Sequence, residues 1–228
     1  MSEPSWLVAL RGELVELTRG PAATMWPVPP GCTGPYFNYR VEHVKQVERN
    51  ALRLLRHVEA DADVVLAAVW IHDRIQPLFQ AERHGQRAAD WAESSLAALG
   101  FPAEKVAAVC AAVARHSEPP GSLADASVEA RVVWDADKLA HFSLVGVLCV
   151  LLNNLAADRV LERQQDGRYD PADGVLAQIV AGRLGTFLEL TWDPQSFYFP
   201  ASRELGEAER RTQHLVLEEL RRELDPTS

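Results

Sequence analysis

The stretch Val64-Val65-Leu66-Ala67-Ala68-Val69-Trp70-Ile71-His72-Asp73 decides the fold. From Val64 to Ile71 the run is apolar without a break, and it shows neither strand alternation nor a single polar face. A helix that is apolar all round is one enclosed by other helices, so the spacing predicts a central helix from Asp63 to about Ile75. The run ends on an imidazole and a carboxylate. Placing both at the end of a buried helix is costly unless something compensates, and a metal ion compensates both: it accepts the imidazole lone pair and neutralises the carboxylate.

Towards the N-terminus, Val44, Val47, Ala51, Leu54, Leu55 and Val58 follow the rhythm of one buried helix face. They predict a helix from Asn38 to about Glu59, carrying His43 mid-helix with Arg40 one turn before it and Glu42 beside it. A short amphipathic helix is expected from Trp6 to about Thr18. The Pro/Gly-rich passage from Gly20 to Pro35 reads as an ordered connector or lid, which Trp26 can pin to the body. Residues 1–35 are therefore read as an N-terminal helix and connector, and 36–228 as the main helical domain with a C-terminal helical extension.

Towards the C-terminus, helices are expected from Arg87 to Leu99, from Ala103 to about Arg115, and from Ser127 through Trp134 to Leu155. Gly100 ends the first and Pro102 begins the second, and Ser127 caps the third. A polar loop from Gln164 to Gly174 precedes a helix from Val175 to Leu190. A last, charged helix runs from Ser202 to Leu224, where Leu217, Leu220 and Leu224 form a narrow stripe that a homodimer could use. The fold class is all-α.

Further ligand-type residues punctuate this pattern. His84 stands in the polar stretch Glu82-Arg83-His84-Gly85, and His116 precedes a proline-rich turn. Asp135 and Asp137 lie inside an apolar run, between Val132-Val133-Trp134 and Leu139. On a helix they point about 160–200° apart, so at most one faces a metal directly. The other is left to pair with an arginine or to cap a loop. Asp137 shares its face with His141, four residues on.

The order His43, His72-Asp73, Asp137 resembles the H…HD…D signature of the HD superfamily of metal-dependent phosphohydrolases, in its small stand-alone bacterial and archaeal form. Tyr39-Arg40-Val41-Glu42-His43-Val44 is similar to that family's first-histidine helix. Ala67 to Asp73 is similar to its "AALLHD" segment, and His84-Gly85 with Ala88 and Ala89 to its "HG…A" element. Val133 to Leu139 resembles its "DADKL" block, and Phe197 to Leu205 a segment before the final helix. The likeness covers most of Asn38 to Leu224.

It implies an HD-type helical bundle with additional N- and C-terminal helices, holding a divalent metal on His43, His72, Asp73 and Asp137, with Asp137 favoured over Asp135. Gln76 stands where the family often has a lysine, which leaves Arg40, Arg74 or Lys138 to contact substrate. His141 and Phe142 replace small residues of the family. In some relatives two further histidines bring a second ion, which here means His84 and His116; otherwise these two contact phosphate.

Mixed imidazole and carboxylate ligands suit Mn, Fe, Co, Ni or Zn, with Mg also a divalent candidate. The implied chemistry is hydrolysis of a small phosphorylated metabolite, a nucleotide by preference. Asp73 or Glu42 would orient or deprotonate the attacking water, and Arg40 would clamp phosphate through paired guanidinium donors. Two alternatives use the same residues: oxidation at a di-iron site, as in myo-inositol oxygenase, and a catalytically silent module that binds a nucleotide or a partner.

Composition narrows the field. The 228 residues carry a formal charge of −9, and lysine occurs only at Lys45, Lys105 and Lys138. No basic run offers the cation cluster that a nucleic-acid polymer or an acidic membrane needs. Cys32, Cys110 and Cys149 form no C-x-x-C pair, so buried free thiols in a reducing compartment are expected. Met1 to Leu17 lacks a secretory pattern. Leu144 to Leu152 is about half the length that spans a bilayer. The expected setting is cytoplasmic.

Overall fold

The computed structural model describes residues 3–75, 83–156 and 193–224. Gln76, the loop 164–174 and the helix expected over 175–190 lie outside the described residues. The rest is all-helical: α1 (Ser5–Met25), α2 (Tyr39–Leu54), α3 (Ala62–Ile71), α4 (His84–Ser95), α5 (Val106–Arg115), α6 (Val128–Phe142), α7 (Leu144–Ala156) and α8 (Pro200–Leu224), with short 3-10 turns at Leu96–Leu99, Ala103–Lys105 and Pro194–Ser196. Among the described residues no helix is long and apolar enough to cross a membrane.

The central helix is α3, packed against α1, α2, α5 and α6. Val64, Val65, Ala67, Ala68, Val69, Trp70 and Ile71 are all buried, as an enclosed helix requires. Asp61 starts α3 by accepting from the backbone N–H groups of Asp63 and Val64. The helix stops at Ile71, four residues before the expected end, so His72 and Asp73 occupy the turn that follows it. α2 likewise ends at Leu54, earlier than expected, and its start is capped by Asn38. Asn50 of α2 donates to the Ala136 carbonyl of α6 at 3.2 Å, which ties together the two helices that carry His43 and Asp137.

Two expectations are corrected. First, α1 continues through Gly20 and Pro21 to Met25, so the connector begins only at Trp26. Proline removes one helix donor, but Thr18 adds a local bond by donating its hydroxyl to the Leu14 carbonyl at 2.8 Å, and it also accepts from Asn38. Trp26 packs edge-on against Tyr36 and Phe37, folding the connector back on itself. Trp6, Leu7, Leu10 and Leu14 sit in the same core as α3.

Second, the long helix expected from Ser127 to Leu155 is two helices broken at Ser143, whose backbone is extended. Ser143 donates its hydroxyl to the Ala140 carbonyl and accepts from the Gly146 N–H at 3.0 Å. A Cβ at Gly146 would lie 1.8 Å from the Ala140 oxygen, so only glycine allows this turn. On α8, Leu217 packs against Val147 of α7, with Leu220 beside it, so much of the narrow apolar stripe is used within the chain. Of the thiols, only Cys149 is buried, whereas Cys32 is exposed, contrary to the expectation for it.

Candidate metal centre

Two helix ends present their histidines in the same manner. His72 caps α3 and His116 caps α5. The Nδ1 of each lies 2.7 Å from the carbonyl oxygen three residues back, on Val69 and Val113 respectively. A carbonyl only accepts, so Nδ1 carries the proton and Nε2 presents a lone pair. Both rings are buried.

Those lone pairs meet carboxylates. His72 Nε2 lies 3.6 Å from Asp73 Oδ2 and 3.8 Å from Asp137 Oδ1, with no hydrogen-bond partner. His116 Nε2 lies 3.5 Å from Asp73 Oδ1. Electron-rich atoms so placed repel one another until a cation sits between them. Ligands about 2.1 Å from one cation lie roughly 3 Å apart at right angles and about 4 Å apart when opposed. The observed spacings fall in that range, so the donor set fits a divalent metal.

The structure brings His43, His72, Asp73 and Asp137 together from α2, the end of α3 and α6. His43 Nε2 is 3.1 Å from Asp137 Oδ1 and 3.5 Å from Asp73 Oδ2. His84 and His116, the candidates for a second ion, are both buried and join the other side of Asp73. His84 Nε2 is 3.7 Å from Asp73 Oδ1 and 3.0 Å from His116 Nε2. Asp73 thus turns one oxygen to each of two histidine groups, and both groups have metal-ligand geometry: His43 with His72 and Asp73, and Asp73 with His84 and His116. Gly85 makes the second group possible, since a Cβ there would approach the Ala114 carbonyl oxygen at 2.9 Å and His116 Nδ1 at 3.2 Å.

The electrostatics favour neutral imidazoles and an ionised acid. Burial pushes His72 well below its usual value and brings His116 to about 4. Burial also lowers His43. Burial alone would raise Asp137, but the Lys138 ammonium and His43 hold it well below the carboxylate range. Lys138 donates to Asp137 Oδ2 at 2.7 Å, and buried Arg40 pairs with Asp73 Oδ2. Two of the three cations expected to contact substrate, Arg40 and Lys138, are therefore engaged with carboxylates of the candidate ligand set.

Asp135 takes the other role open to it. Its carboxylate accepts from the Tyr198 and Phe199 N–H groups at 3.0–3.2 Å, capping the chain just before α8. Burial raises it to about 6. Two more residues stand off the cluster. Glu42 accepts from Lys45 at 3.2 Å and is partly exposed, because one step along a helix turns it about 100° from His43. Arg74 pairs with Glu13 at 3.1 Å and stacks on Trp91. One residue not assigned to the site from sequence does belong beside it. His141 joins His43 and Asp137 in a third group of metal-ligand geometry, and its i, i+4 spacing from Asp137 was the available signal.

When bound, a divalent metal supplies a water of lowered pKa and polarises an oxygen of the substrate. The chain's own part is to fix imidazole tautomers through Val69 and Val113, to hold carboxylates ionised beside Arg40 and Lys138, and to keep the ligands in a buried setting where charge is weakly screened.

The HD domain family matches residues 40–141, while no curated protein matches the chain. Solved structures share its fold. One is a protein of Lactobacillus plantarum (TM-score 0.60, 19% identity, 98% of each chain covered). Another is Bacillus subtilis YpgQ, solved in complex with ADP (TM-score 0.61, 18% identity, 97% of this chain and 100% of that one). A third is an HD-superfamily hydrolase of Bacillus thuringiensis (TM-score 0.53, 18% identity, 95% of this chain and 99% of that one). Residues 40–141, which contain every member of the His/Asp cluster, are the part of the chain that matches the HD domain family.

Proposed function

We propose that this protein is a metal-dependent phosphohydrolase acting on a small phosphorylated metabolite, a nucleotide, through a metal-activated water. The observation that carries the reading is Asp73, whose two oxygens face separate groups of buried histidines. A shared carboxylate of this kind suits two cations that flank a transferring phosphoryl group. Arg40 lies close enough to Asp73 to move between carboxylate and phosphate oxygens, which have similar donor demands. The buried His/Asp set also argues for a catalytic cation rather than a structural one, because it leaves coordination positions to water and substrate. YpgQ, which shares the fold and was solved with ADP, supports a nucleotide as the ligand class.

The same Asp73–His84–His116 group supports a second reading, O₂-dependent oxidation at a di-iron site. The test is elemental analysis of purified protein, followed by a nucleotide screen with Mn²⁺, Co²⁺, Ni²⁺, Zn²⁺, Mg²⁺ and Fe²⁺. Metal-dependent release of phosphate or pyrophosphate is expected. Bound iron with substrate-dependent O₂ uptake and no phosphate release would favour oxidation. Protein that takes up none of these metals would rule out both readings and leave a binding module.

A further inference from the structure

His141 is the residue of the cluster that solvent reaches. Its side chain is 33% exposed, against 6% for His43 and 6% for Asp137. It stands in the last turn of α6, one turn beyond Asp137, with its Nε2 3.9 Å from Asp137 Oδ1. Its ring lies 5.1 Å from that of His43, and Tyr39 also stacks on His43. The break at Ser143, closed by Gly146, directs α7 away from α6 immediately after this turn.

His43 and Asp137 thus belong both to the inner group and to the group that contains His141. An imidazole nitrogen has one in-plane lone pair and serves one ion. If His43 holds the inner cation, no separate full site remains for His141, and the ion within its reach is that same cation. His141 Nε2 lies 3.9 Å and His43 Nε2 3.1 Å from Asp137 Oδ1, spacings within the roughly 4 Å between opposed ligands of one cation.

Resting on the metal-site reading above, we propose that His141 is an additional, displaceable ligand that closes the solvent-facing side of the cation held by His43 and Asp137. It occupies in the resting protein the position that a substrate oxygen takes during binding. It therefore retains the metal between turnovers, and substrate must displace it.

The test is metal binding, without reference to activity. Apo full-length protein is titrated with Co²⁺, followed by visible absorption and equilibrium dialysis, for the parent, His141→Ala, His141→Gln and His72→Ala. In both His141 variants Co²⁺ affinity is expected to fall at least ~10-fold, a loss seen even for outer partners of a ligand, and the d–d spectrum should change. Addition of a non-hydrolysable nucleotide to the Co²⁺-loaded parent should shift its spectrum towards that of nucleotide-bound His141→Gln. Unchanged affinity and spectrum in the His141 variants, with binding lost in His72→Ala, overturn this proposal alone. Absence of Co²⁺ binding in the parent overturns the metal site itself. Circular dichroism verifies that each variant is folded, and His141→Gln decides the matter if His141→Ala is not.

Discussion

His72 and His116 are held alike: each ends a different helix and donates Nδ1–H to the carbonyl three residues back, at 2.7 Å. Helix C-termini leave carbonyls without intrahelical partners, and here two of them set the tautomer of candidate ligands. The two residues nevertheless face opposite oxygens of Asp73. His116→Ala should remove one metal equivalent and leave the other, whereas His72→Ala should strip the group shared with His43 and Asp137. Metal counting by elemental analysis after dialysis checks this, and equal losses in both variants would contradict two separable positions.

The buried pair of Arg40 and Asp73 predicts a coupling. Asp73→Ala should destabilise the metal-free protein by about 3 kcal/mol, because it leaves a buried guanidinium without its carboxylate. Adding Arg40→Met should recover much of that loss. Urea unfolding of the four members of the cycle measures it; additive effects would mean that the two side chains do not depend on each other.

Asp135 and Asp137 should separate cleanly by substitution. Asp137→Ala is expected to lose metal and activity with helicity retained, since its carboxylate faces His43 and His72. Asp135→Ala should keep metal but lose roughly 1–3 kcal/mol of stability, through stranding the Tyr198 and Phe199 N–H groups. Metal content and thermal unfolding, measured side by side, would show the reverse pattern if the ligand were Asp135.

Asp135 also carries a pH signature. Burial raises its folded value from the ordinary 3.8 to about 6. For an acid raised on folding, the folded state binds the proton more tightly, so its contribution is full below 3.8 and is lost as pH rises through about 6. Asp135→Asn has no such dependence. Its stability relative to the parent should improve by about 2 kcal/mol between about pH 4.5 and about pH 7. Urea titrations of the metal-free proteins at both pH values test the sign.

Gly85 predicts a loss of metal without loss of fold. The Cβ of Gly85→Ala would press on the Ala114 carbonyl and on His116, prising the start of α4 from the end of α5. A stability loss of about 1–3 kcal/mol is expected, together with weaker metal binding by the group of Asp73, His84 and His116. Isothermal titration with Mn²⁺ would show one weakened site and one unchanged.

The sequence by itself determined the enclosed helix and the helical class. Val64 to Ile71 cannot be solvated on any side, and Val44 to Leu54 can bury only one face. Periodicity is a local property and survives in one dimension. It also limited the carboxylates of Asp135 and Asp137 to different faces. Helix ends were less legible: α1 crosses Pro21, and the break at Ser143 depends on how closely Gly146 approaches Ala140, a steric fact that periodicity does not register.

Only the tertiary structure decided which ligand-type residues meet. His84 sits in a polar stretch and Glu42 beside a ligand-type histidine, yet the first is buried against Asp73 and the second pairs with Lys45 at the surface. The difference lies in where α4 and α2 dock, and docking is set by contacts between residues distant in the chain. His141 is the sharpest case. Its spacing from Asp137 was visible, but its nearness to His43, nearly a hundred residues earlier, exists only because α2 packs along α6.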